Sequence, residues 1–241
     1  MTSNRPKPPF FKYLQAEHAL TAIESKRIKV ATIDDLNDLF DLRPVFISES
    51  GRNKTLADEL MRDWRKMFAA KYGMICMSCN KEDPALWAHY STFHTGIVIE
   101  FSDIPNEEFF EVKYENNPVR INIDDYVVES FDNIFKQAIT TKFKSWTYES
   151  EVRCFVDLDQ CILVGGLYFW EFPSNVIRSL ILGVKCRLDD QYMHRLLPQN
   201  NLLNVRVYRG TESRDKFTIE IKEILREGKE RLVMLEKGPS T

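Results

Sequence analysis

No run of apolar residues in this 241-residue chain approaches the roughly 20 that a bilayer-spanning helix requires. Residues 1–10, polar and proline-bearing, contain no apolar core of a secretory signal. Five cysteines, an odd number on a chain this long, suit a reducing compartment better than a disulfide framework. These absences lead us to expect a cytoplasmic protein without a membrane partner. An excess of one charge sign is missing as well. The 33 basic and 36 acidic residues are well mixed and leave a net charge of -3. That argues against a broad field for capturing nucleic acid, while a small basic groove or a short single-stranded segment stays open.

Several motifs are also absent. Gly165-Gly166 stands alone, with no Gly-x-Gly-x-x-Gly or Walker pattern, which speaks against a Rossmann dehydrogenase or a nucleotide kinase. Neither Gly-x-Ser-x-Gly nor His-Glu-x-x-His occurs, which speaks against a common hydrolase or zinc protease. No cysteine is singled out as a nucleophile.

What the chain does have is apolar residues enough for an ample core, 44% hydrophobic with 12% aromatic. Residues 1–9 read as a flexible, proline-punctuated arm. Phe10, Phe11 and Tyr13 suggest a short strand or turn, and Ala16, Leu20 and Ile23 a helix over 15–25. A strand over 27–31 follows, then a turn at 36–41 in which Asn and Asp bond the backbone. Thr55 with Asp58 resembles a capping box opening a helix whose apolar face is Leu56, Leu60, Trp64 and Phe68, ending before Gly73. Strands are expected at 74–78, 97–101, 151–158, 179–182 and 204–208. A helical turn is expected at 85–90, and helices at 128–142 and 189–197. Phe217, Ile219 and Ile221 alternate as a last strand before a charged helix at 222–232. The expected fold class is α+β, one domain over 10–221 with a central, mainly antiparallel sheet flanked by helices. Residues 222–241 form a charged helix and tail in this scheme.

Three constellations could carry chemistry. Cys76, Cys79, His89 and His94 approach a two-Cys, two-His zinc set, but Cys76 sits in a buried-strand pattern and the spacers Met77 and Ser78 do not make a knuckle. No metal is expected. Trp87-Ala88-His89-Tyr90 followed by His94-Thr95-Gly96 could stack a ring and hold its ribose or phosphate, or could be core packing. The stretch from Trp146 to Phe155 is the most informative. Strand alternation puts Tyr148, Ser150 and Val152 on one face and Glu149, Glu151 and Arg153 on the other. Two carboxylates one strand period apart repel unless a cation lies between them. They mark either a ligand site or a solvated edge strand in which Arg153 bridges the acids.

The order Lys12-Tyr13, Asn37-Asp38-Leu39-Phe40-Asp41, Cys76-Met77-Ser78, Trp87-Ala88-His89-Tyr90, His94-Thr95-Gly96 and Glu149-Ser150-Glu151-Val152-Arg153 resembles the bacterial domain-of-unknown-function 2971 family. The resemblance spans about residues 10–210. Leu36, Leu39 and Met77 replace the family's Phe, Pro and Phe, changes of packing and turn shape. The motif order is in turn similar to the ADP-ribosyltransferase-like layout. That similarity implies NAD as a substrate, cleaved with transfer of ADP-ribose to protein, DNA, RNA or water. Lys12 or Tyr13 would hold the ribose and Ser78 the nicotinamide side. Glu151 would stabilise the positive charge that builds on the ribose, with Glu149 on the acceptor side. Arg153, Tyr90, His94 and Trp87 would position phosphate or ring. The alternative is a non-catalytic module that binds a nucleotide or a partner protein, for example in bacterial defence.

Overall fold

The computed structural model describes residues 6–51, 54–102, 104, 108–125 and 131–225. In chain order the elements begin with β1 (Phe10–Leu14), α1 (Ala16–Ser25), β2 (Arg27–Lys29), β3 (Val45–Ile47), α2 (Lys54–Lys71) and β4 (Tyr72–Ser78). They continue with α3 (Pro84–Tyr90), β5 (Ile97–Phe101), β6 (Phe109–Glu111), β7 (Lys113–Glu115), β8 (Arg120–Asn122), α4 (Phe131–Thr140) and β9 (Thr141–Phe143). The last are β10 (Glu151–Asp157), β11 (Ile162–Val164), β12 (Leu167–Glu171), β13 (Ile177–Leu182), α5 (Asp190–Gln199), β14 (Arg206–Glu212) and β15 (Ile219–Leu225). The class is α+β, with a large, mainly antiparallel sheet. Contacts divide the described chain into two compact units. The first is built from Lys29–Cys76 and Glu108–Trp170, the second from Lys7–Ile28, Met77–Glu107 and residues from 171 on.

In the second unit the strand order is β15-β14-β13-β5-β1, with the end of β4 on β1. Only the β13–β14 pair is parallel. Central β5 (Ile-Val-Ile-Glu-Phe) is buried at every position, as a strand covered on both faces should be. Helix α1 buries Ala19, Ala22 and Ile23, the 3–4 spacing of an apolar stripe. Asp83 accepts from the Ala85 N–H at 2.8 Å, with Pro84 in the first turn of α3. Asp189 caps α5 in the same way, through the Tyr192 N–H at 2.6 Å. That helix buries Met193, Leu196 and Leu197.

In the first unit β4 pairs with β10 and β10 with β6. Trp64 and Phe68 of α2 stack at 5.7 Å and close a core with Ile33, Leu42, Met74, Ala138 and Ile139. Two short parallel pairs, β3–β8 and β7–β9, lie in this unit. So does the β11–β12 hairpin, whose turn is Gly165-Gly166 with φ of 58° and 80°. Both positive values are ones that glycine adopts without strain. The capping box lies at Thr32 and Asp35, where Asp35 Oδ2 accepts from the Thr32 N–H at 2.8 Å. Thr55 falls inside α2, which begins at Lys54.

Two expectations are corrected. Residues 144–149 form a 3₁₀ turn, so the strand alternation expected of Tyr148, Glu149 and Ser150 does not hold, while the strand itself starts where expected. Ser150 stands in the left-handed region (φ 44°), so β10 begins at Glu151. Residues 222–225 are strand rather than helix, because β15 continues against β14 to the Val207–Leu225 pair. Ladder pairing outweighs the helix preference of Lys and Glu there. The rest of that expected helix, residues 1–5 of the arm, and 128–130 of the helix before α4 lie outside the described residues. So do the side chains of Phe131, Ile134 and Phe135.

Candidate functional site

Lys142 sits in the middle of β9, between half-buried Thr141 and exposed Phe143, and is itself buried. A buried lysine is costly unless paired. Its ammonium is 2.5 Å from Glu149 Oε2 and 3.0 Å from Glu151 Oε2, and 5.0 Å from the centre of the Trp146 ring. The 3₁₀ turn and the left-handed Ser150 carry the chain round so that Glu149 and Glu151 converge on this one cation. The Glu pair is therefore compensated, and the face-sharing expected of an alternating strand is reached by a turn instead.

Arg153, two positions on along β10, is fully buried. Its Nε donates to Glu151 Oε1 at 2.8 Å and its Nη2 to Glu151 Oε2 at 3.0 Å. The other side of the guanidinium clamps Asp41, with Nη1 to Oδ1 at 2.8 Å and Nη2 to Oδ2 at 2.6 Å. Nη1 also donates to the Ile139 carbonyl at 2.9 Å. This bidentate fork is what arginine provides and lysine cannot. Asp41 lies 3.7 Å from the Lys142 ammonium, so three carboxylates share two cations.

Burial by itself pushes the Glu151 carboxyl up, but the Arg153 guanidinium and then Lys142 outweigh it and hold it well below the usual carboxylate range. Burial likewise disfavours the charged Lys142, yet Glu151 and Glu149 hold it above the ordinary lysine value. Tyr114 of β7 accepts from the Glu151 N–H at 2.8 Å, and burial raises its phenol. At neutral pH Glu151, Lys142 and Arg153 are thus charged.

A cleft of about 250 Å³ adjoins it, with Lys142, Thr141 and Phe143 on one side and Phe40, Arg43 and Asn117 among its other walls. Phe40 is exposed because Asp38 Oδ1 accepts its N–H at 2.9 Å and turns the 38–41 segment outward, while Asp41 points to Arg153. One motif therefore supplies both a cleft wall and a network carboxylate.

Of the expected site residues, Glu149, Glu151 and Arg153 come together in the first unit. The others belong to the second. Tyr13 is buried edge-on to Trp87 at 5.2 Å and donates to the Asn80 carbonyl at 2.9 Å. Fully buried Trp87 donates to the Lys81 carbonyl at 2.8 Å. Ser78 Oγ accepts from the Asn80 N–H, which shapes the turn after β4. These three act as core and turn residues. Lys12 is half-buried opposite Ile99, and Tyr90 is half-buried with its ring near His89. His94 lies in a separate cleft with Lys185 and Glu212, and burial lowers its pKa. Thr92, Phe93 and His94 all take positive φ, at 49°, 53° and 70°. Among the described residues no group of three or more His, Cys, Asp or Glu side chains is disposed to hold a metal ion.

Lys142, Asp41 and Tyr114 are site residues that the sequence reading missed. Asp41 stands in a segment whose sequence predicts a turn, and the pattern over 128–142 predicts a helix that ends at Lys142. Comparison with known families, curated proteins and solved structures returns no match to this chain.

Proposed function

We propose that the first unit is a binding module for a nucleotide-like small molecule, with NAD the ligand to try first. The observation that carries this reading is the salt-bridged network ending in Lys142 at the wall of a partly aromatic cleft. Phe40 and Phe143 offer faces to a flat ring. The exposed Arg43 guanidinium suits a phosphate, and Asn117 supplies amide donors and an acceptor. A volume of about 250 Å³ suits one half of a dinucleotide better than the whole. The Asp41–Arg153 clamp ties together two of the motifs on which the resemblance to the domain-of-unknown-function 2971 family rests.

Binding is favoured over catalysis because both Glu151 oxygens are already engaged, by Arg153 and by Lys142. An NAD-cleaving carboxylate must offer an oxygen to the ribose hydroxyl. The ADP-ribosyl-transfer reading keeps one support. Glu149 and Glu151 meet at a single ammonium, so a shift of Lys142 towards a ligand would take that cation from both, while Arg153 still holds Glu151.

Calorimetric titration of the protein with NAD, beside a nicotinamide-release assay, tests the two readings. Saturable binding without released nicotinamide, weakened about tenfold in Arg43→Ala or Phe143→Ala, is the expected result. Wild-type release that disappears in Glu151→Gln, in a variant still folded by circular dichroism, replaces the binding reading with the catalytic one. Absence of NAD binding refutes both.

A further inference from the structure

Strand β5 carries one charge, Glu100, in a run otherwise made of Ile, Val and Phe and buried throughout. Stability gives no reason for a carboxylate there, since burying one without a close cation is unfavourable. Its Oε2 accepts from the Ser179 hydroxyl, and Arg178 Nε is 3.7 Å from Oε1, beyond hydrogen-bond length. Glu100 pairs with Ser179 and Ser179 with Arg206, so these three residues form a row across β5, β13 and β14.

Two irregularities flank the row. The β13–β5 register shifts between Ile177 and Ser179, which lets neighbouring Arg178 and Ser179 both line the same cleft. The β14–β15 register shifts between Val207 and Tyr208, beside cleft residues Arg206 and Tyr208. Bulges bend a strand and re-aim side chains, and they gather next to sites. Regular pairing would send Arg178 and Ser179 to opposite faces.

The cleft they line measures about 370 Å³, and its floor is Glu100 and Ser179. Arg178, Arg206 and Lys81 are its cations, against Glu82 and Glu100, which leaves one excess positive charge. Lys81 is 5.6 Å from the centre of the Phe11 ring, itself paired with Glu100. A deep acceptor surrounded by cations calls for a ligand with hydroxyl donors at one end and an anion at the other. A single carboxylate would balance that one charge, but a phosphate dianion also offers acceptors enough for two arginines and a lysine.

We propose that this cleft in the second unit binds a phosphorylated polyol, hydroxyls on Glu100 and phosphate on Arg178, Arg206 and Lys81. A ribose phosphate, free or within a nucleotide, has this chemistry. The site is separate from the Lys142 cleft and does not depend on its reading.

Calorimetry of the full chain with ribose 5-phosphate, AMP, ribose and inorganic phosphate tests the assignment. Ribose 5-phosphate should bind at least about tenfold more tightly than phosphate or ribose alone. Arg206→Ala should weaken both ribose 5-phosphate and phosphate by roughly ten- to a hundredfold. Glu100→Gln, which removes a negative charge 3.7 Å from Arg178, should weaken the sugar phosphate relative to phosphate. AMP binding as tightly as ribose 5-phosphate, and losing that affinity in Arg206→Ala, identifies the nucleotide as the source. Preference for ribose 5-phosphate identifies the free sugar. If Arg206→Ala loses its circular dichroism spectrum, the exposed Arg178→Ala takes its place. No saturable heat with either phosphate ester up to about 10 mM overturns the proposal, as does affinity unchanged in these arginine variants.

Discussion

Replacing Arg153 by Met tests the buried network most directly. Methionine fills much of the same volume, so the change removes charge and hydrogen bonds rather than opening a large void. Lost are two bonds to Glu151, two to Asp41 and one to the Ile139 carbonyl. Lys142 then faces three buried carboxylates alone. Removing one partner of a buried ion pair costs about 3–5 kcal/mol, and here two carboxylates lose their partner, so the upper end applies. At about 2–4 °C per kcal/mol for a chain of this size, the melting temperature should fall by roughly 10–20 °C. Urea unfolding followed by tryptophan fluorescence and circular dichroism reads the change. The triple variant Asp41→Asn, Glu151→Gln, Arg153→Met removes charge of both signs together and should recover about 2 kcal/mol or more of that loss. A cost below about 1 kcal/mol for Arg153→Met would refute the network as described. A triple variant as unstable as the single one would show that the loss is packing, not charge.

Two further tests address acid stability and backbone crowding. Glu151 is held below its ordinary value near 4.5, so the unfolded chain takes up its proton first as the pH falls. The stability it contributes is whole above that value and is lost as the pH falls from there through the folded pKa. Unfolding free energy should decline on that limb, and Glu151→Gln should flatten it, whereas an unchanged acid slope in the variant would remove Glu151 as the cause. At Gly96 an added Cβ would meet the Leu14 carbonyl oxygen at 2.1 Å and Ser91 Cβ at 2.8 Å. Gly96→Ala should therefore cost about 3 kcal/mol in urea unfolding, and a loss under about 1 kcal/mol would mean that β1 yields there.

The long elements were legible because their periodicity survives on one face. In α2 the expected Trp64 and Phe68 are buried while Leu56 and Leu60 are exposed, and in α1 the expected Ile23 is buried with Ala19 and Ala22 in place of Ala16 and Leu20. Short strands were not. Each of β3, β6, β7, β8, β9 and β11 has three residues, too few for alternation to stand out, and their pairing is decided by partners far along the chain. At the end of the chain Lys222 and Glu223 have helix formers' side chains, yet β14 offers an open ladder and Ile219 and Ile221 carry the alternation into it.

The site was half legible for a related reason. Alternation identifies which side chains of one strand share a face, and on that ground Glu151 and Arg153 were correctly grouped. It cannot identify what lies opposite. Asp41 is 112 positions from Arg153, and Lys142 reaches the cluster from a three-residue strand that follows a helix without a break. With those two side chains in place, a pair of carboxylates that looked uncompensated becomes part of a five-membered salt-bridged cluster. Its electrostatics then argue against free catalytic acids and for a held, charged wall beside a cleft. Glu100 makes the complementary point. A single acid inside Ile-Val-Ile-Glu-Phe is visible in one dimension as a breach of the apolar run. Only the row through Ser179 to Arg206 turns that breach into the floor of a site.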